Sequence, residues 1–230
     1  MNFLKHFLEL FFPKLCICCE RKLINEEKFI CLDCVLKLPK TNHLEQPDNQ
    51  LETFFAGRFP FHRIASFAYF IKGGSIQRLV HELKYKNNPD LGVYLGTLCG
   101  KEITKSPLLT DIDCIIPIPL HKNRLRKRGY NQSLEIAKGI SKQTGIPIME
   151  DNLIRIIDNP SQTKNSRLMR WKNTEGIFDI KNKNILINKH VLLVDDIITT
   201  GSTIEVCAKL IINYTDNNVK ISIYSIGSAV

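Results

Sequence analysis

The chemistry of this 230-residue chain is concentrated in residues 191 to 203, which read VLLVDDIITTGST. Val191 to Val194 form a wholly apolar run that suits the centre of a parallel sheet. Its carboxyl end delivers two adjacent acids, Asp195 and Asp196. Thr199, Thr200, Gly201, Ser202 and Thr203 follow as a small, hydroxyl-rich turn that opens a helix. Gly201 lets backbone N–H groups approach an anion, the hydroxyls add donors, and the helix start adds partial positive charge. Together they make a phosphate cradle. The two carboxylates beside it can accept hydrogen bonds from vicinal sugar hydroxyls. A Walker loop would need a Lys after Gly201, and a dinucleotide fold would need Gly-x-Gly-x-x-Gly after its first strand; neither is present.

A second chemistry sits at the front of the chain. Five of the eight cysteines lie between Cys16 and Cys34, while Cys99, Cys114 and Cys207 are scattered among apolar residues and read as small buried hydrophobes. Cys16 and Cys19 form one Cys-x-x-Cys pair, Cys31 and Cys34 a second, with eleven residues between them. Two such knuckles complete a closed shell of four thiolates, which suits structural zinc. A segment this short cannot bury enough apolar surface to fold alone, so metal would supply its stability. A redox Cys-x-x-Cys would be single and placed where a strand meets a helix. An iron–sulfur cluster uses the same four ligands, and Cys18 is a spare thiol.

Two acid-free stretches complete the set. Residues 121 to 131 carry Lys122, Arg124, Arg126, Lys127 and Arg128, on a loop expected to leave the strand CIIPI at the same sheet edge as Asp195. Guanidinium pairs suit a diphosphate or a nucleic-acid backbone. Residues 159 to 174 carry Lys164, Arg167, Arg170 and Lys172, and read as a lid between two strands. The nine bases equal the whole formal excess of +9, so the charge is local and favours a phosphorylated partner.

The elements that must position these groups are legible in outline. A composition 43% hydrophobic and 24% charged excludes a disordered or fibrous chain. No run reaches the ~18 apolar residues of a membrane span. The greasy start (Phe3, Leu4, Phe7, Leu8, Leu10, Phe11, Phe12) is broken by Lys5, His6 and Glu9 and reads as a short amphipathic helix rather than an export signal. A cytoplasmic protein is expected. Strands are expected at residues 64–71, 114–118, 153–157, 176–180, 191–194 and 219–226, and helices from Ser75, at 89–105, 132–143 and 203–213. Their alternation predicts an α/β fold with a parallel sheet and ligands at the carboxyl ends of its strands. The expected division is an N-terminal helix and metal module at 1–40, a polar linker at 41–60 and the main domain at 61–230.

VLLVDDIITTGST closely resembles the phosphoribosyl-pyrophosphate motif of type I phosphoribosyltransferases. Within that group, the four-cysteine module makes the chain similar to the ComF family, competence proteins linked to DNA uptake. The likeness runs through Phe12-Pro13, LKYKNNPDLG, PIPLHKNRLRKRGYNQS and the series Gln162, Arg167, Arg170, Asn173 and Phe178; Cys18 and the long polar stretch after Pro39 depart from it. The resemblance implies that Asp195 and Asp196 face the ribose hydroxyls and that Thr199 to Thr203 hold the 5′-phosphate. It implies a pyrophosphate or nucleic-acid contact at Arg124, Arg128, Tyr130, Asn131, Gln132, Arg167 and Arg170. Phosphoribosyl pyrophosphate with Mg²⁺, structural zinc, single-stranded DNA and proteins of the DNA-uptake machinery are the implied partners. Two functions follow as expectations: a phosphoribosyltransferase whose acceptor the sequence does not reveal, or a nucleotide-sugar sensor that handles DNA without catalysis.

Overall fold

The computed structural model describes residues 13–24, 26–158 and 176–229. In chain order its elements are α1 (Leu32–Leu36), α2 (Gln50–Phe55), β1 (Arg63–Tyr69), α3 (Ser75–Tyr85), α4 (Pro89–Ile103) and β2 (Cys114–Pro117). Then come α5 (Lys122–Arg128), α6 (Gln132–Thr144), β3 (Leu153–Arg155), β4 (Phe178–Ile180), a 3₁₀ turn at Asn184–Leu186, β5 (Lys189–Ile198), α7 (Ser202–Tyr214) and β6 (Val219–Ser228). The main sheet has the order β1-β6-β5-β2, and every pairing in it is parallel.

Alternation along β5 explains why helices cover both faces. Leu192 and Val194 pack in one cluster with α3, α4 and α6, whereas Val191 and Leu193 pack in another with α2 and α7. β5 is central and apolar on both sides, so its carboxyl end is a rigid platform. Against the first face, α4 and α6 cross at unusual proximity. A Cβ on Gly96 would overlap the Ile136 carbonyl, and one on Gly139 would overlap that of Val93. These small residues let α4 and α6 lie backbone to backbone on that face, and Ser133 at the start of α6 reaches Asp195.

Three expectations are corrected. The 41–60 stretch is packed structure rather than a linker: Thr41 N–H donates to the Phe67 carbonyl, Tyr69 N–H donates to that of Pro39 just before it, and α2 begins with a capping box between Asn49 and Glu52. Its polar residues are there to be buried, since Glu52 also accepts from Ile64 N–H and pairs with Arg63 at 3.1 Å. The basic loop after β2 is instead the helix α5, started by the His121 side chain, which accepts from Asn123 N–H, and ended by Gly129 at φ 86°. β3 and β4 form an antiparallel ribbon outside the main sheet, because Leu153, Phe178 and Ile180 cover the second face beside α7.

The cysteine module shares the first core with the main domain: Cys16, Cys18, Leu23, Ile30 and Cys31 are buried there. Phe29 meets Tyr94 of α4 edge to face at 5.5 Å, and Arg78 of α3 donates to the Cys18 carbonyl. Cys99, Cys114 and Cys207 are fully buried, in keeping with their apolar surroundings in the sequence. No described helix is long and apolar enough to cross a membrane. The amphipathic start and the 159–174 lid lie outside the described residues.

Candidate functional site

A cavity of about 290 Å³ opens at the carboxyl ends of β2 and β5. Its wall includes Lys84, Tyr85, Arg124, Arg128, Gln132, Ser133, Arg155, Asp195, Asp196 and Thr203. Four cations and two carboxylates thus face one small space. Asp195 accepts from the Ser133 hydroxyl at 3.0 Å and from Asp196 N–H at 2.8 Å. Asp196 is paired with Lys84 Nζ at 3.0 Å. Burial, and then the neighbouring Asp196 carboxylate, push Asp195 up to about 7 against those hydrogen bonds and Lys84. An acid poised near neutrality is suited to groups that donate to it when ionised, as sugar hydroxyls do.

The loop after β5 forms the other end. Gly201 has φ 71° and caps α7, a conformation that favours glycine. The Thr200 and Ser202 hydroxyls stand 3.0 Å apart, both residues are exposed, and Thr199 is exposed beside them. Thr203 faces the cavity. Behind the loop, Arg58 donates to Glu205, whose carboxyl is pushed up by burial but held below its ordinary range by Lys209 and Arg58.

The structure divides the other expected residues. Arg124 and Arg128, one helical turn apart on α5, reach the cavity, while Lys122, Arg126 and Lys127 are exposed and do not line it. Gln132 is 1% exposed; its Oε1 accepts from Arg128 Nη1 at 2.5 Å, and its Nε2 has no partner among the described residues. That leaves a buried donor at the cavity wall. Asn131 caps α6 and donates to the Ile118 carbonyl, so it positions the helix. Tyr130 is buried and its hydroxyl donates to the Leu83 carbonyl, a packing role. Arg167 and Arg170 lie outside the described residues.

Sequence reasoning missed two participants, Arg155 and Ser133. Arg155 is the charged residue in an otherwise apolar run, Leu153 to Ile157, and that contrast was the available signal. It lines the cavity, with its guanidinium held by the carbonyls of Ile157 and Asp158. Ser133 gave no signal, because it acts through a carboxylate distant in sequence, whereas Lys84, a possible contact from its place at a helix end in LKYKNNPDLG, pairs with Asp196.

The four cysteines converge. The Sγ atoms of Cys16, Cys19, Cys31 and Cys34 all lie within 4.8 Å of one another, and Cys19 and Cys31 are 3.7 Å apart. Tetrahedral zinc–thiolate bonding separates sulfurs by about 3.8 Å, so the donor set fits that ion. Burial pushes the Cys16 thiol up, but the N–H groups of Cys31, Cys19 and Cys18 outweigh it and hold it down at about 6. Cys18 stands apart from the cluster: its buried thiol is pushed up to about 11, first by burial and then by Cys16.

A parallel sheet covered on both faces, with an acid pair and a Thr/Ser/Gly loop after its central strand, defines a phosphoribosyltransferase-like protein. The phosphoribosyl transferase domain family matches residues 128–226. The chain is similar to DNA utilization protein YhgH of Salmonella typhi, 25% identical over 206 residues, covering 86% of this chain and 84% of the relative. It is 35% identical to competence protein F of Haemophilus influenzae over 100 residues, 43% of this chain and 44% of that one. Competence protein ComFC of Bacillus subtilis is 32% identical over 98 residues, 43% of this chain and 38% of its own. With the four-cysteine module in front of that domain, the chain is similar to the competence proteins of the ComF family.

Proposed function

We propose that the protein binds phosphoribosyl pyrophosphate with Mg²⁺ and serves DNA uptake on the cytoplasmic side during natural transformation. The observation that carries this reading is one cavity in which the acid pair, Thr203 at the end of the hydroxyl loop and the α5 guanidiniums meet. Asp195 and Asp196 accept from the ribose hydroxyls, Thr199 to Thr203 hold the 5′-phosphate, and Arg124, Arg128 and Gln132 hold the diphosphate. When bound to that diphosphate, Mg²⁺ supplies charge neutralisation to the leaving group. The chain's own part in a transfer is to fix the ribose and balance positive charge developing on it with two nearby carboxylates.

A binding test decides the site. Phosphoribosyl pyrophosphate with Mg²⁺, at a hundredfold excess over Kd, is expected to stabilise the protein by about 2–3 kcal/mol in thermal denaturation. Asp195→Asn with Asp196→Asn should abolish that gain; an unchanged gain places the ligand elsewhere. A second reading, DNA handling without catalysis, is favoured by the outward-facing bases of α5, which lie off the cavity. Pyrophosphate release separates the two: release with any base or amine marks a transferase, and none across a panel favours binding alone.

A further inference from the structure

Arg58 ties the stretch before β1 to the phosphate loop across 147 residues of sequence. Its Nε and Nη2 donate to Glu205 Oε2 at 2.8 and 2.5 Å, and Nη2 also donates to the Thr200 carbonyl at 3.2 Å. The guanidinium lies 4.7 Å from the Phe55 ring centre and 4.9 Å from that of Phe54. Phe55 is fully buried, and its ring fills the space where a Cβ on Gly201 would stand. Glu205 closes the arrangement, because its own N–H donates to the Gly201 carbonyl at 2.9 Å. One side chain therefore grips the peptide before Gly201 and the residue that bonds the peptide after it. A cradle of backbone N–H groups binds well only when its orientation is set before the ligand arrives.

We infer that Arg58 is a positioning residue for the 5′-phosphate half of the site, holding the Thr199–Thr203 loop in its binding shape without touching the diphosphate. The inference rests on the ligand reading above. Its test uses the two ends of the ligand as separate probes, because the diphosphate end is built on α5. Calorimetric titration with ribose 5-phosphate is expected to show roughly tenfold weaker binding to Arg58→Gln than to the unaltered protein. Titration with Mg²⁺-pyrophosphate is expected to agree within about twofold, a margin well below the effect of one lost charge-assisted bond. Arg58→Lys keeps the charge but cannot span Glu205 and Thr200 as a planar fork does, so it should stay weakened. Glu205→Gln, which loosens the same grip from the other side, should match it.

Undiminished ribose 5-phosphate binding by Arg58→Gln overturns the inference while leaving the site reading intact. Equal losses on both probes overturn it as well, since they mark general damage. Full rescue by Arg58→Lys also overturns it, because charge alone then suffices. If the unaltered protein binds neither ribose 5-phosphate nor phosphoribosyl pyrophosphate, the ligand reading itself fails and takes the inference with it.

Discussion

Asp195 is the residue at which fold stability and the proposed ligand chemistry meet. Its carboxyl, at about 7 in the folded chain, stands above the ordinary value of 3.8. The folded protein therefore holds a proton that the unfolded chain has already released between those values. The sign follows from linkage: this group's contribution to stability is complete below about pH 4 and is lost as pH rises through about 7. Thermal denaturation should show the unaltered protein losing several degrees between pH 5.5 and pH 8 through this group. Asp195→Asn still accepts from Ser133 and Asp196 N–H but has no charge to desolvate, so its profile should be flatter and higher at pH 8. An identical pH slope in the variant would remove Asp195 as the cause. The same poise favours a ligand that donates to an ionised carboxylate, which binds with proton release near neutral pH.

Among the elements, the cysteine module most needs something beyond packing. Its helix α1 has five residues and none is buried, and Leu32 and Leu36 are exposed. The fixed parts are the cysteines, the buried Leu23 and Ile30, and the module's few contacts with α3 and α4. One zinc per chain is expected by elemental analysis, and Cys16→Ser or chelation should lower the melting temperature by several degrees. Iron in place of zinc would point to a cluster. This module was legible because two Cys-x-x-Cys pairs leave few geometric options. β5 and α7 were legible for a related reason: an apolar run, an acid pair and a hydroxyl turn each announce their place. α2 and α5 were not, since polar and basic residues read as solvated chain until their caps are seen. Asn49, Glu52 and His121 supply those caps through contacts that local periodicity does not encode. Arg58 was invisible altogether, because its partners Thr200 and Glu205 lie at the far end of the chain.

For the whole molecule, the question is whether the excess of +9 serves the cavity or a longer polyanion. The placement of α5 allows it to do both on different faces. Arg124 and Arg128 line the cavity, while Lys122, Arg126 and Lys127 stand exposed away from it. A single-stranded DNA passing over α5 would meet the second set and release counterions, so its affinity should fall steeply with salt. Each phosphate contact contributes about 0.7 to the slope of log K against log salt for a single strand, so three lost contacts should lower it by about 2. Replacing Lys122, Arg126 and Lys127 together by Gln is therefore expected to flatten the salt dependence of oligonucleotide binding by that amount. The same variant should keep its stabilisation by phosphoribosyl pyrophosphate with Mg²⁺, and Arg124→Gln with Arg128→Gln should lose it. If instead both sets weaken both ligands alike, the two faces of α5 act as one surface, and DNA and the small ligand compete for it.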